Sequence, residues 1–200
     1  MDISALVALL AFMVPMCFTP GPNNVLCAAH GSRHGVRKTI PLIGGMAIGW
    51  SVLGLGIGAG AVFIEQNESV IRILSYLGAA YIAYLGYKTA MATSIEEEGD
   101  AKDVLGPQVG FVLQIVNGKA WIHFVVLMTT FGTIFGTGFE GKIALVILNL
   151  SFGFPAVLSW TAFGTLLRRI FSGEDSGIWL NRGLGLLLFL VAVWIALPHE

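Results

Sequence analysis

Two short polar clusters interrupt otherwise apolar sequence. The first is Phe18-Thr19-Pro20-Gly21-Pro22-Asn23-Asn24, inside the first long apolar run. The second is Gln114, Asn117, Gly118, Lys119 and His123, inside the fourth. Pro20 has no N–H, so the carbonyl of Met16 loses its helical partner, and Pro22 does the same to the carbonyl of Phe18. Thr19 and Gly21 each precede a proline and resist the helical region. A freed backbone group in hydrocarbon costs several kcal/mol unless protein satisfies it, so the break is expected to be buried in protein or to line a polar cavity. Asn23 and Asn24 follow at once with amide donors and acceptors. This is the chemistry of a site for a small polar ligand, with Pro20, Gly21, Pro22, Asn23, Asn24, Gln114, Asn117 and Lys119 as its expected binding residues. A proline kink that only shapes packing is the alternative.

In the second cluster, Gln114 and Asn117 are three apart and share one helix face, and Lys119 and His123 are four apart and share another. A local break at Asn117-Gly118 would turn both pairs toward one cavity. Lysine at a helix centre costs about 2.5–3.5 kcal/mol on insertion scales, so Lys119 either serves a site or snorkels to the interface. His123 titrates near neutral pH and is the candidate for proton coupling, with a satisfied core histidine as the alternative. Counting helical rise from the adjoining connections puts Pro22 and Asn117 at a similar depth, about 12–14 Å from one membrane face. A shared site needs that equality.

These clusters sit in a chain of 200 residues that is 56% hydrophobic and 12% charged, half the charge of a soluble domain, with a mean hydropathy of +0.80. The fold expected is an all-α integral membrane protein forming a single transmembrane domain over residues 1–200. At about 20 apolar residues per span, six transmembrane helices fit, over residues 3–27, 39–64, 70–92, 109–135, 142–167 and 178–197. The net charge of −1 and the lack of a basic tail speak against nucleic acid as a partner. Cys17 and Cys27 would stand roughly 15 Å apart on a straight helix, too far for a disulfide. No cleavable signal peptide is evident, so the first span is expected to stay in the mature protein.

Lysine and arginine set the orientation. Connections one–two, three–four and five–six, with their flanks, hold Arg33, Arg37, Lys38, Lys88, Lys102, Lys119, Arg168, Arg169 and Arg182, against Arg72 and Lys142 on the other side. Those three connections are expected in the cytoplasm and both termini outside. The Glu96-Glu97-Glu98 run in connection three–four is expected to be solvated. Gly45/Gly49 and Gly56/Gly60 are each four apart and admit close helix approach, within the monomer or, alternatively, at a homo-oligomer seam. Tyr84 and Tyr87 are expected as interfacial anchors, and Tyr81 as a cavity residue. Three spans plus three, each half opening with a broken helix, predict a 3+3 inverted repeat with helices 1 and 4 broken.

The strings FTPGPNN at 18–24, HGSRHGVRK at 30–38, YLGAAYIAYLGYK at 76–88 and GFVLQIVNGKAWIHF at 110–124 resemble the LysE/RhtB family of bacterial amino-acid exporters across nearly the whole chain. The family usually carries Asn-Pro-Lys-Ala in its fourth span, where this chain has Asn117-Gly118-Lys119-Ala120. The resemblance implies efflux of amino acids or related metabolites across the bacterial cytoplasmic membrane, driven by the proton motive force. The residues suit such a cargo. The positive helix end near Asn23 and Lys119 would take a carboxylate. The carbonyls of Met16 and Phe18, with the amide oxygens of Asn23 and Asn117, would take an ammonium. No Asp or Glu lies inside any span, and a buried cationic side chain would need a counter-charge. Small or neutral substrates (homoserine, threonine, leucine-like) are therefore favoured. The rival transporter reading is divalent metal efflux, with Cys27, His30 and His34 as ligand types. No nucleophile–base–acid set points to an enzyme, no phosphate-binding glycine loop is present, and no cofactor is called for. The expected partners are the small-molecule substrate and the lipid bilayer.

Overall fold

The computed structural model describes residues 3–65, 68–91, 104–171 and 174–196. These residues form helices α1 (Ile3–Phe18), α2 (Pro22–Glu65), α3 (Glu68–Ala90), α4 (Pro107–Ile115), α5 (Gly118–Thr130), α6 (Phe139–Ile170) and α7 (Glu174–Ala196), with no strand among them. The chain is an all-α membrane protein. Three stretches are each long and apolar enough to cross a bilayer: Pro22–Gly60, Phe139–Ile170 and Ser176–Val193. A fourth is added if α4 and α5, bent by 63° at their break, count as one span. The Gln66-Asn67 step, Lys102 and the Glu96–Glu98 run lie outside the described residues.

The first expected span, residues 3–27, is divided: α1 stops at Phe18 and α2 starts at Pro22. The expected loop between the first two spans is the larger correction. Residues 28–38 are almost wholly helical, because Gly35 alone turns the chain at φ 76° and ψ 170°, a conformation only glycine adopts readily. The two limbs then lie side by side. Cys27 Sγ comes within 3.8 Å of Met46 Sδ, whereas nineteen residues of straight helix would part them by roughly 28 Å. His30 pins the turn. Its Nε2 accepts the Leu105 N–H at 3.0 Å and its Nδ1 donates to Thr39 Oγ1 at 2.8 Å. The Thr39 hydroxyl in turn donates to the Gly35 carbonyl.

The second break needs no proline. Asn117 leaves the helical region at φ −88°, ψ 99° and its side chain accepts the Lys119 N–H, so an asparagine N-cap ends one helix and starts the next.

The glycines of the second limb of α2 divide by role. A Cβ at Gly45 would sit 1.9 Å from the Pro107 carbonyl oxygen, and one at Gly49 would sit 2.8 Å from the Gln114 side chain. That pair therefore works within the monomer, against α4. Cβ atoms at Gly56 and Gly60 would meet nothing within 4 Å. On the other side, Gly164 of α6 lies against the Ala28 carbonyl and Gly31 against Thr161. Thr165 Oγ1 donates to the Gly31 carbonyl, and Arg168 donates to the carbonyls of Ser32 and Arg33, capping the limb just before Gly35. Tyr84 and Tyr87 are exposed. Tyr81 stacks on Tyr84 at 6.3 Å.

Candidate substrate-binding site

The break at 19–21 is held open by side chains from three directions. Asn24 Nδ2 donates to the carbonyls of Cys17 at 2.8 Å and Thr19 at 2.9 Å. Trp160 Nε1, on α6, donates to the Phe18 carbonyl at 3.1 Å. The Phe18 oxygen accepts one bond there and keeps a second lone pair. Of the two carbonyls that the prolines orphan, that of Phe18 is answered by protein; that of Met16 belongs to a residue of the cavity wall.

The two polar clusters meet. Asn23 Nδ2 donates to Gln114 Oε1 at 2.8 Å, and Gln114 Nε2 returns a bond to Asn23 Oδ1 at 3.1 Å. Asn117 Nδ2 also donates to Asn23 Oδ1, at 3.2 Å. All three amides are buried, so their mutual bonds are what makes the burial tolerable. Lys119 does not snorkel away: its Nζ donates to Thr19 Oγ1 at 3.0 Å and to the Thr19 carbonyl at 3.3 Å. A Cβ at Gly21 would touch Lys119 Nζ at 3.0 Å, so the smallness of Gly21 leaves the ammonium its place across the break.

A cavity opens here. Gly21, Pro22, Asn23 and Asn24 line it from the start of α2, and Asn117, Lys119 and His123 from the start of α5. Pro20 is exposed and Gln114 lies behind Asn23, so neither is in the wall; they act through the break and the amide pair. Tyr81 is not in the wall either, because it lies against Tyr84 instead.

Four wall residues were not expected from sequence: Cys17, Trp50, Ala120 and Asn149; Met16, whose carbonyl was, is in the wall as well. Asn149 of α6 accepts from His123 Nε2 at 2.8 Å and from the Cys17 thiol at 3.6 Å. A lone asparagine in an apolar span is a signal that could have marked it; Trp50 carries none. His123 also stacks on Phe12 at 5.4 Å.

Two helix N-termini, of α2 and α5, therefore face one cavity. Pro22 has no N–H, and the Lys119 and Ala120 N–H groups are taken by Asn117; both helix starts carry the positive end of their dipole. Lys119 adds a full positive charge, and no carboxylate lines the wall. The arrangement suits an anionic group on a small ligand, with amide oxygens and the apolar face of Trp50 for the remainder. A second site from sequence, the Cys27, His30 and His34 ligand set, is not assembled. Both His30 nitrogens are engaged and Cys27 faces Met46. Among the described residues, no group of three or more His, Cys, Asp and Glu could hold a metal.

The two thiols, both free, give a direct check of the cavity. Cys17 is part-exposed in the wall while Cys27 is fully buried. N-ethylmaleimide is expected to modify Cys17 well before Cys27, read by peptide mass spectrometry. Equal rates at the two positions would contradict the cavity described.

The model of the LysE type translocator family matches residues 14–198. The chain is 35% identical over 179 residues to the "Cysteine/O-acetylserine efflux protein" of Salmonella typhimurium (strain LT2), covering 88% of this chain and 90% of the relative. It is 31% identical over 180 residues to the protein of the same description from Escherichia coli (strain K12), again covering 88% and 90%. No solved structure matches.

Proposed function

The chain belongs to the LysE type translocator family, and on that premise we propose that it exports a small zwitterionic amino acid of the cysteine or O-acetylserine class from the cytoplasm. It is a multi-pass membrane transporter and not an enzyme; the substrate is the step beyond. The observation that carries the reading is Lys119 held at the meeting of two helix N-termini with no carboxylate in the wall. A carboxylate would lie toward Lys119 and the positive starts of α2 and α5. The ammonium would lie toward the Asn117 amide oxygen, which has one donor on it, and the carbonyl of Met16, whose helical donor position is Pro20; the Asn23 oxygen, expected from sequence to share this role, already takes two donors. A basic side chain would find no counter-charge, which favours a short neutral one. The small neutral substrates favoured from sequence and the relatives' printed cargo are of one chemical kind.

Both termini outside, a 3+3 inverted repeat with one broken helix in each half, and coupling to the proton motive force complete the proposal. His123 is the group proposed to titrate, supported by its place in the wall beside Lys119 and its bond to Asn149. The test is efflux of labelled cysteine, O-acetylserine, threonine, homoserine, leucine and lysine from loaded cells, with and without the protein and with a protonophore arm. Faster loss of one or more of the neutral amino acids, slowed by the protonophore, is the expected result. Export of lysine alone, or of none, would overturn it.

A further inference from the structure

Asn149 is the residue that α6 brings to the wall of the cavity. It stands inside a helix long and apolar enough to cross a bilayer, where a polar side chain is costly and is kept where it is used. Only 2% of it is exposed. Two donors converge on its oxygen: His123 Nε2 from α5 at 2.8 Å and the Cys17 thiol from α1 at 3.6 Å. Both lone pairs of that oxygen are taken. Turning the amide over would set its N–H groups against the Cys17 S–H and the His123 N–H. A protonated His123 donates from the same nitrogen, so the orientation holds through a proton step.

The other half of the amide is open. Among the described residues Asn149 Nδ2 has no hydrogen-bond partner, and it is not sealed away from the cavity that the residue lines. The other amides of the wall differ. Asn23, Asn24 and Asn117 each donate from Nδ2 to an oxygen of the protein. Buried polar side chains nearly always find a partner, and a donor left unmet loses much of what its hydrogen bond to water supplied. Asn149 is thus a fixed donor, held from behind by two helices and aimed into the site.

Resting on the reading of this cavity as the amino-acid site, we propose that Asn149 is a specificity-determining residue whose Nδ2 donates to an acceptor on the substrate side chain. The carboxylate has Lys119 and the two positive helix starts, and an ammonium is itself a donor. The side chain is the part of the substrate left to meet Nδ2. His123, which carries Asn149, follows Lys119 by four residues, one turn and roughly 6 Å along α5, a span that a short side chain bridges. A carbonyl or hydroxyl oxygen accepts well and a thiol sulfur weakly, so the class selected is an O-acyl or hydroxyl side chain ahead of a thiol. An apolar wall such as Trp50 separates isosteres poorly, whereas a polar group left unpaired by the wrong ligand rejects it.

The test is downhill efflux from proteoliposomes of the purified protein, loaded with O-acetylserine, cysteine or homoleucine. The branched alkyl chain of homoleucine copies the shape of the acetyl ester without its oxygens. O-acetylserine is expected to leave about tenfold faster than homoleucine, the share of one hydrogen bond, with cysteine between them. Asn149→Leu, close in shape, should bring the ratio near one. Asn149→Asp keeps an oxygen for His123 and Cys17 but turns the free end from donor to acceptor. Its preference should pass to diaminopropionate, whose side-chain ammonium donates, a reversal that a packing role would not produce. A wild-type ratio near one, or an order of substrates unchanged in Asn149→Asp, would overturn the selector while amino-acid export stands. So would an equal fall for every amino acid in both variants, since Nδ2 would then serve the carboxylate. Export of no amino acid by the wild type would overturn the proposed function and this inference together.

Discussion

Replacing Lys119 with alanine is expected to abolish export while the protein still reaches the membrane. Among the described residues the ammonium is the only charged side chain in the wall of the cavity, so the substrate carboxylate would lose its one full counter-charge. A hydrogen bond to a charged group contributes about 1.5–3 kcal/mol, or roughly 10- to 150-fold in apparent affinity, before the cost of leaving a carboxylate partly desolvated. The fold should tolerate the change. Thr19 keeps the Asn24 amide on its carbonyl, and losing a lysine from a span relieves its insertion cost. Asn23→Ala should also block export, but by a different route: Gln114 and Asn117 both bond to Asn23, and its removal strands two buried amides. The readout is initial efflux rate at matched membrane abundance. Near-normal rates in both variants would remove the site assigned here.

The second large effect falls on folding. Gly164→Ala should destabilise the protein by about 3 kcal/mol or more, the upper end of overpacking costs. Its new methyl would lie 1.9 Å from the Ala28 carbonyl oxygen, and that neighbour is backbone, so relief requires moving α6 away from α2. The movement would strain the bonds from Thr165 to Gly31 and from Arg168 to Ser32 and Arg33. Gly56→Ala is the matched control, because its methyl would meet nothing within 4 Å and surface changes stay near ±0.5 kcal/mol. Thermal transitions in one detergent decide the matter. If the two variants melt together, the close crossing of α2 and α6 is not a principal support of the fold.

What was readable from sequence is what backbone chemistry writes locally. Pro20 and Pro22 cannot sit in an unbroken helix, and the break stands where they are. Asn117-Gly118 marked the second break, though by an N-cap in place of a proline. The depth argument counted Pro22 from a connection starting at His30, whereas the helix runs on to Gly35, so the meeting of Asn23 with Asn117 is owed to packing and not to that count. The turn at Gly35 was not readable: it sits in a basic run that looks like a loop, and only the dihedral angles show one glycine replacing a whole connection. Nor were Cys17, Trp50 and Asn149 assigned to the site. Each reaches the cavity through the packing of distant helices, and nothing in its immediate neighbours encodes that. The donation from Trp160 to Phe18 spans 142 positions and belongs to the same class.

Helix α6 touches the whole length of this machinery. Lys142, near its start, donates to the Gly58 carbonyl; Asn149 reaches the cavity; Trp160 holds the broken end of α1; Arg168 caps the turn at Gly35. In mechanical terms it is a lever about 48 Å long with Asn149 at the load. Pro155, inside α6, removes one rung of its ladder between the load and the Trp160 grip, which gives the beam a point of compliance. A tilt that loosens the grip at Gly58 would reach the turn at Gly35 except for what Pro155 absorbs, so the stiffness of that one beam would set how far a movement at one end of α6 is felt at the other.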